Sequence, residues 1–110
     1  MKFAKQKPVR LKGKKWRAEK EKILERDKNR CVFCGKWVGI ESDPAHIVRR
    51  SQGGDDLADN LMVADRDCHN SFDNYEIGLP EKVWERMEDD HRLQYIRTRW
   101  RMQFNFEILF

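Results

Sequence analysis

The sequence predicts a small α+β domain. Helix-like stretches of alternating apolar and charged residues flank a middle segment made of short β-prone pieces. That segment opens with a Cys31-x2-Cys34 pair, and a Ser51-Gln52-Gly53-Gly54-Asp55-Asp56 loop interrupts it. The 110 residues are enough for one modest core, and no internal repeat or second domain is visible. The chain divides into a basic arm (1–14), a central domain (15–79) and a C-terminal helical extension packed on the same domain (80–110).

The arm, MKFAKQKPVRLKGK, contains Pro8 and Gly13 and has no helical period. From Lys15 to about Lys28, Trp16, Ile23 and Leu24 fall at helical spacing and predict an amphipathic helix with those three inward. Cys31 to Gly35 reads as a tight turn. Lys36–Ile40, Ala45–Val48 and Asn60–Ala64 read as extended pieces. Cys68-His69-Asn70 opens a helix through about Tyr75, which Gly78 stops, and Pro80 suits the first turn of the next. From Pro80 to about Phe104 a helix is expected, with Val83, Trp84, Met87, Tyr95, Ile96, Trp100 and Phe104 as packing residues and a break at Asp89-Asp90-His91. Arg97, Arg99 and Arg101 read as solvated, and Glu81, Glu85, Glu88 and Asp90 as a solvated face. The tail Phe104–Phe110 is apolar, and either folds back on the core or meets another chain.

Charge is sorted along the chain. Residues 1–30 hold 13 Lys/Arg against 4 Asp/Glu, residues 31–79 hold 4 against 9, and the remainder balances. A basic segment beside an acidic one suits a protein that attracts phosphates with one part and holds a cation with the other. Lys12, Lys14, Lys15 and Arg17 are the leading candidates for nucleic-acid contact, with DNA the expected partner.

No apolar run approaches the ~20 residues of a membrane span, and no signal-peptide core follows the basic start. Three cysteines are too few for a disulfide scaffold, and the C-x2-C pair reads as metal binding in a reducing compartment. The cytoplasm is the expected location, that of the host if the chain is phage-encoded.

Four features follow in order: Cys31-x2-Cys34, Pro44-Ala45-His46-Ile47-Val48, Asp59-Asn60-Leu61 and Asp67-Cys68-His69-Asn70, with the Gly53-Gly54-Asp55-Asp56 loop between His46 and Asn60. Over about Leu11 to Tyr75 this pattern resembles the HNH endonucleases of the ββα-metal (His-Me finger) superfamily, and the free-standing format resembles phage and prophage members. The resemblance implies a hairpin-helix core and metal-dependent hydrolysis of DNA phosphodiesters. His46 would be the general base, Asn60 would hold His46 in register through its backbone, and His69 would bind one divalent cation (Mg, Mn, Ni or Zn). Asp73, four residues on, is a second candidate ligand. Arg49 and Arg50 would meet phosphates near the scissile bond.

Two departures stand out. Members of the family usually have a metal-binding residue immediately before the base, where this chain has Ala45; Asp43, the nearest upstream carboxylate, is the candidate to substitute for it as a ligand of the catalytic cation. They also usually carry two C-x2-C pairs, whereas here the second would be Asp65-x2-Cys68. A structural zinc on Cys31, Cys34, Asp65 and Cys68 is chemically reasonable. The alternatives are three cysteines with a histidine or water, or three buried thiols without metal. The rival readings of function are a catalytically weak or inactive zinc-stabilised nucleic-acid-binding module, and an accessory subunit of a phage recombination or packaging assembly. The apolar tail would then dock a phage protein, or a second copy of the chain as a homodimer.

Overall fold

The computed structural model describes residues 7–39 and 42–108, with side chains along the last helix as far as Arg99. Helix α1 spans Gly13–Arg26. A two-residue strand β1, Ala45–His46, pairs antiparallel with β2, Leu61–Met62, in the register Ala45 opposite Met62 and His46 opposite Leu61. Helix α2 (Arg66–Asp73) follows at once, then α3 (Glu81–Arg86) and α4 (Asp89–Ile108). The described chain is thus an α+β unit of four helices and a two-stranded sheet.

Helix α1 forms where its period places it and buries Ile23 and Leu24 completely or nearly so; Trp16 packs on the core while remaining partly exposed. The chain then reverses through Lys28 and Asn29, both with φ of 55°. Asparagine tolerates this left-handed conformation, and its amide closes the turn on the Val38 carbonyl. The Cys31 turn is pinned to β2 by Val32 N–H donating to the Val63 carbonyl at 2.9 Å.

Residues 36–39 do not form the expected strand. A single bridge between Arg30 and Trp37 is all that pairs there, and Trp37 is 63% exposed. Only Val38 of this piece is buried, because one side of so short a ribbon faces solvent. Ile40 lies outside the described residues.

One ionic knot joins three elements. Asp27, at the end of α1, accepts from Arg26, from Arg86 of α3 and from the Val63 N–H after β2. Arg26 also donates to the carbonyls of Ala58 and Leu61. Burial is the largest single influence on Asp27 and opposes its charge. The Arg26 and Val63 hydrogen bonds, with the two guanidinium charges, still hold its carboxyl below the ordinary range.

The C-terminal region differs from expectation in four places. Helix α2 ends at Asp73, five residues before Gly78. The break falls at Met87–Glu88, just ahead of Asp89, where Met87 turns extended and buries its side chain. Ile96 is 44% exposed. Arg99 is buried: it donates to the Phe72 carbonyl at 3.0 Å and the Ile77 carbonyl at 2.8 Å, with its guanidinium 4.4 Å from the centre of the Phe72 ring. It is not solvated because it ties α4 to the Phe72 carbonyl at the end of α2 and to the Ile77 carbonyl in the loop beyond. Trp100 and Phe104 as packing residues, and the apolar tail as a docking segment, concern side chains outside the described residues.

Between β1 and β2 the loop folds on itself. Gly54 is required there, since a Cβ at that position would stand 1.8 Å from the Val48 carbonyl oxygen. Asn60 is fully buried and fills its hydrogen-bonding capacity inside the loop: Oδ1 accepts from Val48 N–H at 2.9 Å, while Nδ2 donates to the carbonyls of Val48 and Asp55. Truncating Asn60 to alanine strands these buried groups and should cost roughly 2–5 kcal/mol, read as a shift of the urea midpoint at unchanged slope. A loss below about 1 kcal/mol would contradict the role assigned to this amide.

Candidate active site and cysteine cluster

His46 ends β1 and Asn60 immediately precedes β2, so pairing of the two strands brings them together. The Asn60 amide engages Val48 rather than the backbone of His46. The reason is register: the Asn60 carbonyl accepts from Ile47 N–H at 2.8 Å, which sets its side chain level with the next peptide. The amide therefore fixes the exit from the strand, and His46 through it.

The imidazole of His46 is held by Asp56, with Nε2 at 2.9 Å from Oδ1. A carboxylate only accepts, so Nε2 donates and Nδ1 carries the lone pair. Nδ1 has no partner among the described residues, and no buried polar side-chain atom lacks one, so Nδ1 reaches solvent. Burial is the main influence on His46 and lowers its pKa; Asp56 opposes this, while Arg50 and Arg10 add to it. The ring is accordingly neutral, a proton acceptor, at neutral pH.

Asp56 was not singled out by sequence. It is 3% exposed and also accepts from Leu11 N–H at 3.2 Å, with Arg50 Nε at 3.4 Å and an Arg10 nitrogen at 3.7 Å. Residues 9–11 of the basic arm lie along this loop: Val9 N–H donates to Asp55, the Val9 carbonyl accepts from Asp56 N–H, and Arg10 donates to the carbonyls of Gly54 and Arg50. Acidic loop residues look alike in sequence, and nothing local distinguishes the one that meets a histidine ten positions away.

His69 lies on α2 with Nε2 at 3.3 Å from Asp73 Oδ2, both partly exposed. Asp43 does not join them: it is 78% exposed at its side chain and pairs with Lys20 at 3.4 Å. The contact between His69 and Asp73 is that of an i,i+4 pair on one face of a helix.

The cysteine cluster is assembled. One ligand atom from each of Cys31, Cys34, Asp65 and Cys68 lies within 4.8 Å of the others. Tetrahedral thiolate ligands of one metal stand about 3.8 Å apart, so these residues could hold a metal ion. Asp65 does double duty as the N-cap of α2. Its Oδ1 accepts from Cys68 N–H at 2.8 Å, and its Oδ2 from the Cys34 thiol at 2.8 Å. The Cys34 bond leads in holding the Asp65 carboxyl down at about 2, while burial, with the neighbouring thiols and carboxylate, pushes Cys68 up to about 12. A cation bound here would have to displace these thiol protons, so its affinity would rise with pH.

No family model, curated protein or solved structure matches this chain.

Of the basic candidates, Lys12, Lys14, Lys15 and Arg17 are all exposed around the start of α1. That helix has no side-chain cap and no acid in its first turn. Positive side chains thus gather at the positive end of a helix, an arrangement that disfavours folding locally and favours an anion. Arg49 stacks 4.9 Å from the Tyr75 ring centre, and Arg50 faces Asp56.

A histidine outside the motifs completes the picture. His91 of α4 is 8% exposed, with Nδ1 at 2.5 Å from Asp59 and Nε2 at 2.9 Å from Asp55. Glu88 lies close enough that Asp59, Glu88 and His91 could also hold a cation. Burial lowers the His91 pKa most strongly as a single influence, but the two carboxylates together raise it. A group raised in the fold contributes fully below its unfolded value near 6.5 and loses that contribution as pH rises through its folded value. The stability gap between wild type and His91→Gln should therefore be widest near about pH 6, at roughly 1–3 kcal/mol, and narrow at alkaline pH. Denaturant curves across pH check this, and a gap that grows with pH would contradict it.

Proposed function

We propose that this chain is a metal-dependent DNA endonuclease of the HNH, ββα-metal type, with a structural zinc on Cys31, Cys34, Asp65 and Cys68. The observation that carries the reading is the buried Asn60 amide closing the loop from His46. It leaves one histidine neutral and open at Nδ1, while the following helix presents a second histidine beside a carboxylate.

In this mechanism Nδ1 of His46 takes a proton from a water molecule as the water oxygen attacks phosphorus. The bond from phosphorus to the 3′-oxygen breaks and that oxygen takes a proton from solvent water, leaving a 3′-hydroxyl and a 5′-phosphate; His46 returns its proton to solvent. His69 and Asp73 would hold the divalent cation, which when bound offsets the charge gathering on the phosphate and the leaving oxygen. Ala45 has no side-chain ligand atom, so His69 and Asp73 are the residues that would hold the ion, with any remaining ligands coming from water or substrate. Lys12, Lys14, Lys15 and Arg17 supply sequence-independent attraction to the backbone. Arg49 and Arg50, just after His46, meet phosphates near the cleaved bond.

Ala45 favours a second reading, a zinc-stabilised module that binds nucleic acid without cutting it. Supercoiled plasmid separates the two. Incubated with Mg²⁺, Mn²⁺, Ni²⁺ or EDTA, the wild type should give open-circle or linear product only with metal. His46→Ala and His69→Ala should each lose at least about 100-fold in rate. Because His46 titrates below its usual value, the acid limb of the rate profile should fall below ~6.5. Retention of DNA on a gel without cleavage in any metal would establish the binding module instead.

Salt dependence gives an independent check on the interface. The combined Lys14→Ala, Lys15→Ala and Arg17→Ala variant should weaken DNA binding and flatten the plot of log affinity against log salt by up to about 0.9 per lost phosphate contact. An unchanged slope would place the interface elsewhere.

A further inference from the structure

We propose that Asp56 is the positioning residue for His46, and that the basic arm locks Asp56 in place through Arg10 and Leu11. The segment expected to grip DNA and the imidazole expected to accept the proton are then one mechanical unit. This inference rests on the endonuclease reading above and assigns a role to residues outside its catalytic set.

The argument begins with burial. A carboxylate only 3% exposed needs partners for both oxygens. Asp56 Oδ2 accepts from Leu11 N–H at 3.2 Å, and Oδ1 meets His46 Nε2 at 2.9 Å. The charges facing the pair are Arg50, 3.4 Å from Oδ1, and Arg10, 3.7 Å from it. Asp56 is held on the backbone side as well, by its N–H on the Val9 carbonyl at 2.9 Å. Arg10 spans the loop, donating to the carbonyls of both Gly54 and Arg50.

The consequence for His46 is chemical. An imidazole free to turn about its side-chain torsions presents either nitrogen in either tautomer. Bonded to an acceptor at Nε2, it must keep its proton there and offer Nδ1 as the base. Asp56 thus selects both the orientation and the tautomer in which His46 can take a proton. Because Leu11 and Arg10 belong to the arm, seating the arm on the loop sets the ring.

Asp56→Asn tests this with little change in size. Leu11 N–H is a backbone donor and must still meet an oxygen, so the new amide presents its NH2 to His46. That inverts the ring, moving its proton to Nδ1. Long-range proton–nitrogen correlation spectra of the full chain report which nitrogen is protonated. The expected result is Nε2 in the wild type and Nδ1 in Asp56→Asn. Plasmid nicking should show a fall in kcat of at least about 100-fold with KM for DNA changed only a fewfold. The same nitrogen protonated in both proteins would overturn the proposal.

Arg10→Gln, at the surface, guards against a variant that fails to fold. It should lower kcat about tenfold, whereas an arginine that only binds phosphate would raise KM alone, and that outcome also overturns the proposal. If the wild type cleaves no DNA, the endonuclease reading fails. The spectra still decide separately whether Asp56 sets the ring.

Discussion

The buried amide of Asn60 is the constraint on which the rest of the structure depends. Strands of two residues each cannot fix a fourteen-residue excursion between their facing ends by ladder bonds alone. Asn60 does so by taking the Val48 N–H and the carbonyls of Val48 and Asp55 in one plane, against a glycine that leaves no room for a Cβ. With the loop closed, Asp56 comes beneath His46 and Asp55 comes beside His91. A single neutral side chain thereby sets two histidines through adjacent loop carboxylates, the pKa of His46 lowered and that of His91 raised.

Around that loop, polar ties do much of what a larger core would do. Asp27 and Arg26 fasten α1 to β2, to α3 and to the turn before β2, and Arg99 fastens α4 to the end of α2. The cysteine cluster joins the turn after α1 to the first turn of α2. Each tie spans elements far apart in sequence, so α2 is positioned from both ends. That matters because α2 carries His69 and Asp73, whose separation is fixed by one helical turn while their placement toward His46 depends on the packing of the helix.

Much of this was legible in the sequence where spacing is short. The periodicity of α1, the cysteine turn, the order His46, Asn60, His69, and the i,i+4 pairing of His69 with Asp73 are local patterns, and the elements form where those patterns lie. Residues 36–39 failed as a strand because β-prone residues say nothing about whether a partner exists. Asp56, His91 and Arg99 were beyond reach for another reason. Their roles come from partners ten to thirty-six positions distant, and an acid in a polar loop or an arginine on a charged helix carries no local mark of burial. Asp43 shows the converse: a carboxylate near the right place in sequence turns outward to Lys20.

On the proposed endonuclease reading, two groups of oxygen and nitrogen donors would compete for the catalytic cation: His69 with Asp73, and His91 with Asp59 and Glu88. Paramagnetic broadening by Mn²⁺ distinguishes them directly. With zinc-loaded protein bound to a duplex carrying a non-hydrolysable phosphodiester analogue, Mn²⁺ added in small steps should broaden the ring signals of His69 first. Those of His46 should follow, and those of His91 should stay sharp. Broadening that begins at His91 and spares His69 would contradict the account, since the cation would then sit on α4 and Asp59 rather than on the helix proposed to hold it.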